Sequence, residues 1–144
     1  MNRIDCFRGA YGFLSNFYHA PVTWEGLTYL NSEAAFQAAK VLSDEERAAF
    51  LYLDPARAKR MGRRVTLRAD WEQVKVGIME EIVRAKFTQN PELGALLAAT
   101  GDAQLVEGNT WGDTYWGVDS RNGKGSNHLG KILMKVRAEL AEKK

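Results

Sequence analysis

The nine residues Ser32-Glu33-Ala34-Ala35-Phe36-Gln37-Ala38-Ala39-Lys40 constrain this chain more than any other stretch. Straight-chain polar residues and four alanines, with no glycine or proline, dictate a helix. At about 100° per residue, Glu33, Gln37 and Lys40 fall on one narrow stripe, with Phe36 beside it. Ala35, Ala38, Ala39 and Leu42 cover the opposite side, so no second polar face exists to meet water. Two arrangements satisfy this wheel. Either the stripe is the solvent side of a surface helix, or the helix is buried and the stripe lines a polar cleft. The second places a carboxylate and an ammonium in one concave site, a pairing suited to acid/base chemistry.

Around this segment the patterning is short and mixed. Strands are expected near Cys6-Phe7 and Phe13-Leu14, then at Val22-Thr23-Trp24 and Leu27-Thr28-Tyr29, the last two joined by the hairpin turn Glu25-Gly26. Ser43-Asp44-Glu45-Glu46 is a capping box opening a short helix to Phe50. Asp54-Pro55 starts another, which Gly62 is placed to end. Asp70-Trp71-Glu72-Gln73 opens the longest helix, with Val74, Ile78, Ile82, Val83 and Phe87 on its apolar face. Asn90-Pro91 restarts the chain into a helix ending at Thr100-Gly101. After a strand-like Leu105-Val106 and a glycine- and tryptophan-rich loop, a final amphipathic helix runs from about Asn127 through Leu129, Ile132, Leu133, Val136 and Leu140. The fold class is α+β, mainly helical, with a small antiparallel sheet.

At 144 residues the chain is most economically one domain, 1–144, able to bury a real core. Apolar content of 45% excludes a disordered chain. A formal charge of +2 makes no blanket electrostatic case for nucleic acid. The positive residues do cluster, however. Arg57, Lys59, Arg60, Arg63, Arg64 and Arg68 precede the next acid, Asp70, as either a solvated face or a phosphate-facing edge. A single cysteine, Cys6, rules out an internal disulfide and points to a reducing compartment. With His19 and His128 the two histidines, no zinc-type ligand spacing exists, and no metal is expected. The first residues are too polar for a signal peptide and no apolar run approaches a membrane span, so the expectation is a soluble cytoplasmic protein. Lys143-Lys144 reads as a frayed end.

Three further stretches carry chemistry. In Asn109-Thr110-Trp111-Gly112-Asp113-Thr114-Tyr115-Trp116-Gly117, three aromatics form either a stacking platform for a planar base or plugs for the core. Asp113 lies among them, as a ribose ligand or as a turn cap. Gly123-Lys124-Gly125-Ser126-Asn127-His128-Leu129-Gly130 leads into the last helix, where backbone N–H groups and the dipole favour anions, although a helix start without a ligand is the commoner meaning. Asn16, in Ser15-Asn16-Phe17-Tyr18, either bridges ligand hydroxyls or satisfies backbone at a strand end. His19 and His128 read as surface or capping residues.

The order of these signals along the chain is specific. Phe13-Leu14-Ser15-Asn16-Phe17 is followed by Ser32-Glu33 with Phe36-Gln37 and Lys40, by Gly62-Arg63, and by Asp70-Trp71-Glu72. Ala85-Lys86-Phe87, Leu105-Val106-Glu107, Asp113 with Trp116-Gly117, and the 123–130 loop complete the series. From about residue 4 to residue 140 the chain resembles the NADAR family, also called YbiA-like proteins. The resemblance implies a compact, mostly helical α+β domain and N-glycosidase activity without a cofactor. Two substrate classes come with it: ADP-ribose attached to guanine in nucleotides or DNA, and early riboflavin intermediates whose ribosylamine C–N bond is cleaved. Both reactions break a ribose C1–N bond. An ADP-ribosyltransferase is the partner such a role suggests; no oligomeric state follows.

By motif, Glu33, Trp71, Asp113 and Trp116 match the family's site positions, and Lys40 and Asn16 match its polar lining. The roles this implies are proton transfer and water activation for Glu33, and contact with the ribose or capture of the opened sugar aldehyde for Lys40. Asp113 would hold ribose hydroxyls. Trp71 or Trp116 would stack on the base or sugar, with Phe17, Gln37 and Gly117 among the lining residues. Arg63, Lys124 and Asn127 would take phosphates. The rival reading from another class is a non-catalytic reader of ADP-ribose or NAD using the same aromatics. A sequence-tolerant DNA binder built on the 57–68 run is a third.

Overall fold

A computed structural model describes residues 2–142. Its elements, in chain order, are β1 (Arg3–Ile4), a 3-10 turn (Gly9–Leu14), β2 (His19–Trp24), β3 (Leu27–Asn31), α1 (Ser32–Ala38), α2 (Asp44–Ala48), α3 (Pro55–Gly62), α4 (Trp71–Gln89), α5 (Pro91–Ala99), β4 (Gln104–Leu105), β5 (Gly108–Asn109), β6 (Val118–Asp119) and α6 (His128–Glu142). The class is α+β with helices carrying most of the regular structure, as the patterning predicts. The chain forms two compact units. Residues 16–90 make one unit, called inner for its place in the sequence alone, and the segments flanking it in the sequence, up to residue 15 and from residue 91, make the other, called outer.

In the inner unit, β2 and β3 pair antiparallel through the Glu25-Gly26 turn. Both turn residues have positive φ, 48° and 85°, the backbone that lets two residues reverse a twisted hairpin. Ala20, Val22 and Trp24 alternate inward along β2. The hairpin packs against α1 and α4, and α1 also packs against α3. This enclosure settles the wheel: all seven residues of α1 are buried. The Glu33–Gln37 stripe is therefore not a solvent face. Leu42, placed by the wheel on the apolar side, is instead 65% exposed, because α1 stops at Ala38 before reaching it.

Local chemistry starts α1, α2 and α3. Asn31 Oδ1 accepts from the Ala34 amide at 2.8 Å, and its Nδ2 donates to the Leu53 carbonyl at 3.1 Å. Asn31→Ala is expected to lower stability by about 1–2 kcal/mol in urea unfolding, the value of a lost cap. Ser43 Oγ accepts from the Glu46 amide and donates to its carboxylate, both at 3.1 Å, and Asp54 Oδ1 caps α3 at the Arg57 amide, at 2.9 Å. Arg47 is buried, with its guanidinium 4.7 Å from the Trp24 ring centre and 2.7 Å from Glu25 Oε1.

The long helix α4 buries Trp71, Ile78, Met79, Ile82, Val83 and Phe87, and with them Lys86, which is 1% exposed. The Lys86 ammonium lies 5.7 Å from the Tyr18 ring centre and 5.1 Å from that of Phe87. Burial pulls its pKa down to about 7.

In the outer unit α5 packs on α6, whose Leu129, Ile132, Leu133 and Val136 are buried. Two expectations change here. Phe13-Leu14 closes a 3-10 turn rather than a strand, begun by Gly9 at φ 56°, and the first strand lies at Arg3–Ile4 rather than Cys6-Phe7. The small ladders are also not all antiparallel. β1 pairs with β4 and β5 with β6 in parallel, and β2–β3 alone among the three is antiparallel. β1 and β4 lie about a hundred residues apart, and parallel pairs such as these have no hairpin turn to read. The Lys143-Lys144 expectation lies outside the described residues. No helix among those residues is long and apolar enough to cross a membrane.

Candidate active site

Inner-unit residues gather around the start of α1. Asn16 is buried and anchors that start. Its carbonyl accepts the Glu33 amide at 3.1 Å, and its Oδ1 accepts the Ser32 hydroxyl at 3.0 Å, while Nδ2 meets Met79 Sδ at 3.4 Å. Asn16 thus holds the Glu33 amide through its main-chain carbonyl and the neighbours Ser32 and Met79 through its side chain. Glu33 itself is 8% exposed, and its Oε2 accepts from Gln37 Nε2 at 2.6 Å, one helical turn on.

Lys40 follows the helix end, half-buried, with its ammonium donating to the Gly62 carbonyl at 3.5 Å. Burial lowers its pKa below the ordinary lysine value. Glu33 opposes that shift, and the charges of Arg63, Lys59 and Lys75 add to it. A carboxylate and a lysine of reduced basicity therefore sit within electrostatic reach of each other on one side of α1. Arg63 is exposed, just past α3. Phe17 is 45% exposed, and the Lys59 ammonium lies 5.9 Å from its ring centre. Trp71 is 5% exposed and packs 5.2 Å from the Phe36 ring centre, tilted by 52°, so one side of the indole is already covered.

Gly62 has a role the sequence pattern did not suggest. A glycine at a helix end suggests left-handed backbone, yet Gly62 is not among the glycines with positive φ, and Arg63 caps α3 in right-handed backbone. What it supplies is space, because a Cβ there would overlap Gln37 Oε1.

The remaining expected site residues belong to the outer unit. Asp113 Oδ1 accepts from the Tyr115 and Trp116 amides at 3.1 and 2.9 Å, which is the turn-capping arrangement. Asn109, buried, ties the loop together: Oδ1 accepts the Asp113 amide at 3.0 Å, and Nδ2 donates to the Asp113 carbonyl at 2.9 Å. Gly117 lies so close to Glu107 that a Cβ would overlap its carbonyl and carboxylate oxygens. Neither loop tryptophan plugs the core; Trp111 is 60% exposed and Trp116 half-buried. Trp116 instead joins Tyr115 (ring centres 4.9 Å apart) and His128, whose ring centre lies 4.4 Å from that of Tyr115. His128, read as a surface or capping residue, is thus part of an aromatic cluster. The signal for it was its place at the first turn of α6, facing the loop.

The phosphate reading of the 123–130 loop loses four successive backbone donors at the helix start. The amides of Ser126, Asn127, His128 and Leu129 donate to the carbonyls of Thr114, Gly117, Tyr115 and Trp116 at 2.8–3.2 Å. Asn127 is spent likewise: its Nδ2 donates to the Leu105 carbonyl at 2.9 Å, and its Oδ1 accepts the Glu107 amide at 3.0 Å. Lys124 is exposed.

Comparison with known proteins sets the chain among its relatives. An N-glycosidase YbiA from Shigella boydii is 47% identical over 137 residues, covering 93% of this chain and 84% of that protein. A riboflavin biosynthesis protein of Vibrio vulnificus is 42% identical over 92% of this chain, a match that takes in 36% of the longer relative. The NMR structure of the Escherichia coli protein YbiA superposes with a TM-score of 0.85 at 42% identity, covering 99% of this chain and 88% of that one. The profile of the NADAR domain matches residues 6–141, which takes in residues of both units. That match spans nearly the whole chain, and the chain belongs to the NADAR domain family.

Proposed function

We propose that this protein is an N-glycosidase that hydrolyses a ribose C1–N bond, with ADP-ribose joined to guanine, in a nucleotide or in DNA, as its substrate. The observation that carries the reading is the buried Glu33 carboxylate, held at 2.6 Å by Gln37 and electrostatically coupled to a lysine of lowered pKa. A binding module has little use for a desolvated carboxylate and a weakened base side by side; a hydrolase does. The name of the Shigella relative, an N-glycosidase, supports the reaction type.

In the reaction, the C1–N electron pair leaves with the nitrogen, which needs a proton, and C1 takes a hydroxyl from water. Glu33 handles these proton transfers. Lys40 contacts the ribose, or its neutral amine adds to the C1 aldehyde of the opened sugar and loses water to form a Schiff base that water later reverses. Its lowered pKa supports the second part by raising the fraction of neutral amine at neutral pH. Borohydride added during turnover is expected to fix a sugar adduct on Lys40, seen as a mass increase that Lys40→Arg lacks. Absence of an adduct assigns Lys40 an electrostatic part.

The reading is tested by incubating the protein with ADP-ribosylated guanosine and, separately, with a ribosylaminouracil phosphate, and measuring free sugar product by mass spectrometry. Release from the first is expected. Release from the second alone favours a substrate among riboflavin intermediates, the reading supported by the Vibrio relative's name. Cleavage of neither leaves the non-catalytic reader of ADP-ribose.

A further inference from the structure

Gln37 is held between Glu33 and Gly62, and its two amide atoms are treated very differently. Nε2 donates to Glu33 Oε2 at 2.6 Å, whereas Oε1 is buried with no hydrogen-bond partner. A buried acceptor left unsatisfied costs about 1–3 kcal/mol, so this orientation persists for another reason. Turning the amide over would set Oε1 against the Glu33 carboxylate, which offers it no proton while ionised. Shape supplies the rest. The amide lies against Gly62, where a Cβ would overlap Oε1, stand 2.7 Å from Cδ and approach Gln37 Cβ to 3.2 Å. The same glycine offers its carbonyl to Lys40 at 3.5 Å, so Gln37 and Lys40 meet one backbone position.

We infer that Gln37 is a positioning residue that holds the Glu33 carboxylate in its reactive orientation, and that Gly62 is the floor this requires. The inference rests on the reading of Glu33 as the proton-transfer group. Glutamate has several freely turning side-chain bonds, and one firm contact a helical turn away removes most of that freedom before substrate arrives. The orphaned Oε1 is the counterpart of that arrangement: the amide is oriented for Glu33 rather than for its own satisfaction.

The test couples an activity readout to one that needs no substrate. In ¹⁵N-labelled protein the Gln37 side-chain NH₂ pair, assigned by its loss in Gln37→Met, is expected to exchange slowly with solvent. In Gly62→Ala the same pair is expected to move to the positions of a solvated amide, since the added methyl displaces it. In turnover, Gly62→Ala and Gln37→Ala are each expected to lower kcat by about 100-fold, the scale of a misplaced catalytic group. KM should stay within about threefold, as for an interaction realised in the transition state. The double variant should be no slower than the worse single one, because without the Gln37 side chain the alanine at 62 has nothing to displace.

Losses that multiply toward about 10⁴-fold overturn the inference, because they mark independent sites. So does a Gly62→Ala protein that keeps the slow amide pair. Should Gly62→Ala fail to fold, Gln37→Met decides: it preserves the packing without the amide, and an unchanged kcat overturns the positioning role. A wild-type protein that cleaves neither riboside overturns the glycosidase reading alone, since the amide signals still report the coupling.

Discussion

Glu33→Gln is expected to lower the release of free sugar by about 10²–10⁴-fold, the range of a lost acid/base group, while substrate binding by calorimetry changes little. The substitution is chosen for what it preserves. A glutamine at 33 keeps the length and planarity of the side chain and still presents an oxygen to Gln37 Nε2, now 2.6 Å from Glu33 Oε2. The Asn16 contact is to the Glu33 backbone and is untouched. What disappears is the negative charge and the ability to take and return a proton. Full turnover by Glu33→Gln would remove Glu33 from the chemistry and pass proton transfer to another group.

Lys86→Met is expected to stabilise the fold, by about 4 kcal/mol at pH 7 in urea unfolding. Lys86 is 1% exposed, and burial takes its pKa from 10.5 to about 7. The unfolded chain therefore binds a proton that the folded one gives up between those values. Stability contributed by this group is lowest below pH 7, where the folded state must bury the charge, and rises by about 1.4 kcal/mol per pH unit toward pH 10.5. The methionine variant lacks that rise, so its advantage is largest in acid and shrinks in base. Unfolding at pH 6, 8 and 10 measures both slopes; parallel curves would show that Lys86 stays charged inside the fold.

Wherever neighbouring residues decide a conformation, the sequence is legible. The Glu25-Gly26 turn, the Ser43 and Asp54 caps and the Gly101 helix stop all depend on groups a few positions apart. The same holds for the Glu33–Gln37 pair. Whether that pair faced water or protein was not local, because it depends on the β2–β3 hairpin, α3 and α4 closing around α1. The parallel ladders escaped for the same reason. Lys86 is the instructive omission. Its steps of four from Ile78 and Ile82 put it on the buried face of α4, but a lysine reads as exposed unless the spacing is given more weight than the charge. In the outer unit, Asp113 and the 123–130 loop carried two meanings each, and the backbone partners of Asp113 and Asn127, set by the folded loop, are the side that patterning alone does not weigh.

The threading of the two units bears on how the protein is made. Residues 16–90 are continuous, so the inner unit holds all of its own contacts as soon as α4 has been synthesised. The outer unit is split, and β1 has no strand partner until β4 arrives about a hundred residues later, at Gln104–Leu105. A growing chain thus leaves β1 without its strand partner until β4 is made, and closing that loop waits on about a hundred further residues. Assembly has a built-in order: the unit bearing Glu33 and Lys40 matures first, and the unit bearing Asp113 is completed by a late, long-range clasp.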